Sequence, residues 1–244
     1  MKEESDMKKV LAIAIIGGVA ASAALAGPMG PVKPTQGRWG LEFEVSADQR
    51  DMEASGNRAN KRENDMLNFL GRASYGLTDK VEVSVRLGGA DLEIEDKADV
   101  NTTVTQYDGK SEFAWGVAIG AILYDAGTWN IGVSGNYLSH SGHAGSGSFT
   151  GGSTANDIDY ADWNIGGQLQ GKYDQFLPYV GIKYSDARTS YNSVAGAAAA
   201  DDEADDNFGV YIGAGWDLSP QWSGYFEGRF VDETSFGGGV RYTF

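Results

Sequence analysis

The chain has two histidines, His140 and His143, and both sit among groups that could do acyl-transfer chemistry. Ser139 and Ser141 flank them, and Asp157, Asp159 and Asp162 follow one loop later. A general base, a hydroxyl and an orienting carboxylate are the parts of a hydrolytic site, so hydrolysis, if any, belongs in this region. The chain contains no Cys, which removes thiolate nucleophiles, disulfides and thiolate metal sites. No stretch has EF-hand ligand spacing. Serine- and glycine-rich loops often carry an occasional histidine, so the expectation is no enzyme, no cofactor and no assignable metal site, with the roles of His140 and His143 open.

A second set of charges recurs with a regular place in the pattern. Glu44, Arg72, Arg86, Lys183 and Glu227 each fall on the polar side of a stretch that alternates polar and apolar residues, at about the same distance from a short turn or terminus. Glu42, Glu82, Arg229 and Arg241 share that side, as do Glu112, Asp162, Lys172 and Asp217. Period-2 alternation is the signature of a strand with one apolar face. It recurs over 38–46, 67–77, 81–88, 112–124, 129–137, 162–173, 178–184, 208–218, 222–230 and 236–244. The last reads Phe-Gly-Gly-Gly-Val-Arg-Tyr-Thr-Phe, with Val240, Tyr242 and Phe244 on one face.

Connections between these stretches alternate in length. Those at 78–80, 125–127, 174–176 and 219–220 are tight turns, whereas 47–66, 91–110, 139–157 and 186–206 are long and mostly charged. About ten strands, an even number, with short turns at one end and long loops at the other, is the plan of a transmembrane antiparallel up-and-down β-barrel, an all-β fold. Each stretch comes near the roughly 9 to 11 residues that a tilted strand needs to cross the hydrocarbon. Inward glycines at 116, 120, 209, 213, 215, 237 and 239 leave room on one side of the interior.

Aromatic placement separates a membrane barrel from a soluble sandwich. Tyr75, Trp129, Tyr173, Trp216 and Trp222 lie beside the short turns, and Trp115, Tyr137, Trp163 and Tyr184 lie near the long loops. Between them the same face carries mainly Val, Ile, Leu, Ala and Gly. Two aromatic girdles around an aliphatic band match the headgroup preference of Trp and Tyr.

Residues 1–26 read as a secretory signal peptide, with Met7 a possible true start. Lys8 and Lys9 precede an apolar run that ends in Ala24-Leu25-Ala26, a small-x-small cleavage pattern. A spanning helix would need about 20 apolar residues, more than this Ala- and Gly-rich run supplies. Residues 27–36, with Pro28, Pro31 and Pro34, read as a periplasmic leader, because proline cannot enter a ladder, and 37–244 as the barrel. The formal charge is −15, which excludes nucleic acid as a partner, since phosphate neutralisation needs a basic surface.

The signal peptide, the turn Tyr75–Lys80, the stretch Leu177–Tyr184 and the terminal Gly-Val-Arg-Tyr-Thr-Phe resemble the small outer-membrane β-barrel superfamily of opacity-type proteins and the OmpA transmembrane domain. The resemblance covers the whole mature chain, though eight strands are usual in that group. It implies the Gram-negative outer membrane as location, and outer-membrane lipid and lipopolysaccharide as surroundings. It also implies a C-terminal assembly signal at Val240, Tyr242 and Phe244 that the barrel-assembly machinery reads. The chain also resembles omptin proteases in strand number and acidic outer face, but their paired aspartates and Asp-x-His find no match here. The His-x-Ser spacing of lipid A deacylases is also absent.

The expected function is a structural or surface-interaction barrel with a charge-lined, mostly plugged lumen. The alternatives are a narrow porin-like channel for small solutes and, third, an outer-membrane hydrolase. The extracellular partner stays open. The acidic stretches 91–108 and 201–206 are either a solvated surface or carboxylates that share divalent cations with lipopolysaccharide phosphates.

Overall fold

A computed structural model describes residues 28–54, 61–97, 106–108, 111–142, 155–193 and 200–244. The elements in chain order are β1 (Trp39–Ala54), β2 (Lys61–Thr78), β3 (Val81–Lys97), β4 (Gln106–Asp108), β5 (Glu112–Asp125) and β6 (Trp129–His140). They are followed by β7 (Ala155–Gly171), β8 (Phe176–Ser193), β9 (Ala200–Ala204), β10 (Phe208–Asp217), β11 (Trp222–Phe230) and β12 (Thr234–Thr243). Ten of them form a closed antiparallel up-and-down barrel. The last strand meets the first with Gly40 opposite Thr243 and Gln49 opposite Thr234. β4 and β9 are short additions outside that ring: β4 pairs with β3, and β9 lies between β8 and β1.

Side-chain alternation decides which way the wall faces. Along β1 the even positions Glu42, Glu44, Ser46, Asp48 and Arg50 are all buried, while Leu41 and Phe43 are exposed. The same parity holds around the ring. Arg86 and Arg229 are 0% exposed and Lys183 1%, against 55% for Ile182, 58% for Ile212 and 54% for Phe226. The barrel therefore encloses its ions and presents its aliphatic residues outward. On β10 the outer face runs from Phe208 through Val210, Ile212 and Trp216 to the exposed Leu218. At about 3.3 Å per residue this is about 33 Å along the strand, or about 25 Å of height at a tilt of about 40°.

Both aromatic rows are present at the edges of this band. At the turn end Trp39 packs on Tyr75 (4.8 Å between centroids), Tyr124 on Trp129 (5.3 Å), Phe176 on Trp216 (5.5 Å) and Trp222 on Tyr242 (5.0 Å). Tyr173 stands 65% exposed at the same end. At the loop end Trp115 packs on Tyr137 (4.7 Å) and Trp163 on Tyr184 (5.3 Å). Val240 and Phe244 point outward, and the Phe244 amide closes the ring by donating to the Trp39 carbonyl at 2.9 Å.

Much of what the sequence offers as charged loop is strand. β1 and β2 pair without interruption from Trp39–Tyr75 to Glu53–Lys61, and β8 continues to Ser193. Above the outer aromatic row the outward positions turn polar and mostly charged: Gln49, Asp51 and Glu53 on β1, Asp91, Glu93 and Glu95 on β3, and Asp186 and Arg188 on β8. The inward positions there mix apolar side chains with the buried polar Asn64, Thr189 and Asp202. Met52, Met66, Leu92, Ile94, Ile158, Tyr160, Ala187 and Tyr191 form one buried cluster inside the extended strands. The chain thus has a lower tier that is greasy outside and ionic inside, and an upper tier built in the opposite sense, as a water-soluble core.

The leader 27–36 takes an unexpected course. Over residues 28–33 it runs inside the lower tier, with Pro28, Met29, Gly30 and Val32 buried. It turns at Gln36–Gly37 beneath Gly76, where the Gly37 amide donates to the Gly76 carbonyl at 2.9 Å. A Cβ at Gly76 would overlap the Thr35 carbonyl, so only glycine lets the leader pass this point.

Candidate functional site

The lumen is the site, and the structure builds it from three groups of inward side chains. Near the turn end Arg72 reaches Glu44 at 3.2 Å, Arg86 Nε reaches Glu44 at 2.9 Å, and Arg241 reaches both oxygens of Glu82. Arg72 also lies 3.9 Å from Glu42 and 3.6 Å from Glu82. The Tyr225 hydroxyl donates to Glu44 at 3.3 Å. Three arginines and three glutamates thus share one layer.

The second group centres on Glu227. Its carboxylate accepts from the Tyr179 hydroxyl at 3.0 Å and from the backbone amides of Met29 and Gly30 at 2.9 Å each. Tyr179 and Tyr211 occupy the space over inward glycines: a Cβ at Gly213 would overlap the Tyr179 ring, and one at Gly181 the Tyr211 ring. The room that these glycines leave is therefore already taken.

The third group lies nearer the upper tier. Arg229 contacts Asp48, reaches Glu233 at 2.9 Å and meets Ser235 at 2.5 Å. Lys183 contacts Glu233 and reaches Asp232 at 2.8 Å. Arg50 reaches Ser185 at 2.7 Å and Asp162 at 3.5 Å. Every one of these charged side chains is at most 1% exposed. Removing so many ions from water is tolerable only because each meets an opposite charge at hydrogen-bonding distance.

Of the thirteen charges that the sequence puts on the polar side, Glu42, Glu44, Glu82, Arg86, Asp162, Lys183, Glu227 and Arg229 are buried, Arg72 and Arg241 nearly so, and Glu112, Lys172 and Asp217 only in part. The five assigned to one ring do not form one. Glu44, Arg72 and Arg86 meet each other, Glu227 holds the leader, and Lys183 belongs to the third group. Lys172 lies half exposed at the rim, on Asp125 at 2.9 Å. The sequence reading missed Asp48, Arg50, Asp232 and Glu233. The β11–β12 connection is only 231–233, with Val231 at a φ of 89°, and this tight turn folds both carboxylates into the lumen. His140 is 1% exposed and stacks on Tyr160 at 4.9 Å, enclosed rather than set in a cleft; His143 lies outside the described residues.

The upper tier is closed on one side by β9. Both oxygens of Asp202 accept from Nη1 of Arg62, at 2.9 and 2.7 Å, and one also accepts from the Tyr191 hydroxyl at 2.5 Å. Lys61 contacts Asp205 and Arg188 contacts Asp201, so the carboxylates of 201, 202 and 205 are matched by cations of this chain. No group of His, Cys, Asp or Glu that could hold a metal ion occurs among the described residues. On the outer face of β2 and β3, burial and the neighbouring Glu63 hold Asp65 above the ordinary carboxylate range.

Hydrogen bonds from Lys61 and Arg188 hold Asp205 and Asp201 below their ordinary value of 3.8. A carboxylate with a lowered folded value adds stability that is present above the unfolded value and is lost as pH falls through the folded one. β9 amides are therefore expected to exchange faster at pH 3 than at pH 6 after correction for intrinsic rates. The change is modest, because exposed pairs are solvent-screened, and equal protection at both values would contradict the clasp.

A closed barrel with enclosed ions and an apolar wall edged by aromatic rows has the architecture of a transmembrane β-barrel. No family model and no curated protein matches the chain. Among solved structures it is similar to the outer membrane protease OmpT from Escherichia coli, at 14% identity and a TM-score of 0.45, covering 88% of this chain and 99% of that one. It is similar to the translocator domain of autotransporter NalP from Neisseria meningitidis, at 10% identity and a TM-score of 0.46, covering 99% and 95%. It is also similar to Ail, the attachment invasion locus protein of Yersinia pestis, at 10% identity and a TM-score of 0.36, covering 86% and 100%.

Proposed function

We propose that this protein is a non-conducting outer-membrane barrel with a structural or surface-interaction role, its upper tier being the part offered to the exterior. The observation that carries this is the leader inside the lumen, anchored on Glu227 through two backbone amides. The gap left beside it, bordered by Met29, Val32, Ser134 and Asn136, measures about 10 Å³, room for one water at most. The paired ions of the third group and the apolar cluster of the upper tier stand above it. Barrels of about eight strands are commonly filled by their own side chains, whereas 16 to 18 strands enclose a channel.

The same reading makes the protein a non-enzyme, in keeping with a His140 that is buried and stacked on Tyr160. It also gives the outward Val240, Tyr242 and Phe244 of β12 the role of the edge that the assembly machinery recognises before the ring closes. Purified protein in planar bilayers is expected to leave the membrane insulating at voltages where porins conduct. Large, long-lived openings would overturn the proposal in favour of a small-solute pore.

A further inference from the structure

The leader is held unlike the rest of the lumen filling. The staves are joined by ladders, and the upper cluster consists of stave side chains, but residues 28–33 are held by hydrogen bonds to their backbone together with the Met29 side chain against Tyr179 and Tyr211 and the Lys33 ammonium on Asp217. Met29 and Gly30 amides donate to Glu227, the Val32 amide donates to Gln170 at 3.1 Å, and the Pro28 carbonyl accepts from Arg86 at 2.9 Å. The wall is recessed to receive this segment: Pro31 lies over Gly215, Val32 over Gly120 and Gly132, and Pro28 over Gly237. Gly30 sits at a φ of +66° with the Tyr225 ring 3.6 Å from where a Cβ would be. Backbone-directed hydrogen bonds with shallow seats for small residues are how proteins read extended peptides. At the turn end, beside Lys33, lies a cavity of about 340 Å³ lined by Asp174, Asp217 and Trp222 among others.

We infer that the lower lumen is a binding pocket for an extended peptide with proline and glycine at these seats, occupied here by the chain's own residues 28–33. When that segment withdraws, the pocket opens at the turn end and stays blind, because the ion pairs Arg229–Glu233, Lys183–Asp232 and Arg50–Asp162 are made without the leader. This last point rests on the closed barrel proposed above.

The chain has no Cys, so one introduced thiol reports access cleanly. Ser134 is 7% exposed, and its hydroxyl has no hydrogen-bond partner among the described residues. Ser134→Cys in the full chain, reconstituted in vesicles, is expected to react slowly with a polar maleimide. Adding Gly30→Val, which strains the leader and leaves every stave unchanged, is expected to speed labelling at least about tenfold, because the reaction follows the open population. Glu227→Gln is expected to do the same through loss of the anchor. The synthetic peptide Pro-Met-Gly-Pro-Val-Lys-Pro-Thr-Gln, added in excess to the Gly30→Val protein, is expected to restore protection. Equal labelling with and without Gly30→Val, or no protection by the peptide, would overturn the pocket. A Gly30→Val barrel that labels faster and also conducts would leave the pocket standing and overturn the closed upper lumen instead.

Discussion

Replacing Arg229 by Met is expected to lower the unfolding free energy by about 3 to 5 kcal/mol, the usual result of removing one partner from a buried ion group. Arg229 is fully enclosed, and its guanidinium stands between Asp48 on β1 and Glu233 in the β11–β12 turn. Without it Asp48 keeps the Ser46 hydroxyl at 2.8 Å, the Asn68 amide at 2.7 Å and the Ser235 hydroxyl, neutral donors that do not offset a buried charge as a cation does. Glu233 keeps Lys183. The loss should therefore fall mainly on Asp48, and the double variant Arg229→Met/Asp48→Asn should recover part of it, a coupling that a double-mutant cycle measures. Urea unfolding in lipid vesicles, followed by tryptophan fluorescence, provides the numbers. A loss below about 1 kcal/mol would mean that water reaches this group and that the ions are not sealed from solvent.

Arginine placed at Ile182 and at Ile94 is expected to destabilise the protein by comparable amounts for opposite reasons. Ile182 is exposed on the outer face of β8 between Val180 and Tyr184, so a charge there meets hydrocarbon, at about 2 to 4 kcal/mol near the midplane. Ile94 is fully buried in the upper cluster, where an unpaired charge belongs to the short list of changes that cost about 4 kcal/mol or more. Asp91→Asn, on the outer face of the upper tier, should stay within about 0.5 kcal/mol. A harmless Ile182→Arg would show that the outer wall faces water, which no lipid-embedded barrel permits.

The lower tier was legible because its two chemistries alternate cleanly. Val81, Val83, Val85 and Leu87 against Glu82, Ser84, Arg86 and Gly88 admit one strand parity, and the inward direction of Glu82 and Arg86 followed from it. The upper tier was not, because the rule reverses while the parity continues. In Asp48-Gln49-Arg50-Asp51-Met52-Glu53 polar groups occupy both faces, so the stretch reads as solvated loop. The usable signal was Met66-x-Asn68-x-Leu70 beside Leu92-x-Ile94, apolar residues on the same parity as the lumen charges. Partners across the lumen were beyond any local pattern: that Tyr179 fills the recess at Gly213, or that Glu227 meets a leader 197 residues away, depends on ring closure and register. Proline correctly excluded the leader from the ladder, but exclusion from a ladder does not say on which side of the wall the segment lies.

The strap formed by β9 changes the perimeter of the molecule along its axis. Low in the wall, the path from β8 to β1 passes through β10, β11 and β12, four inter-strand steps of about 4.8 Å each. At the top it passes through β9 alone, two such steps, with Met52 opposite Ala204 and Arg188 opposite Glu203. On this side the circumference therefore shrinks by about 10 Å from the membrane to the exterior. The barrel tapers like a cone, narrow at the end that β9 closes and wide at the turn end, where the leader passes beneath Gly76.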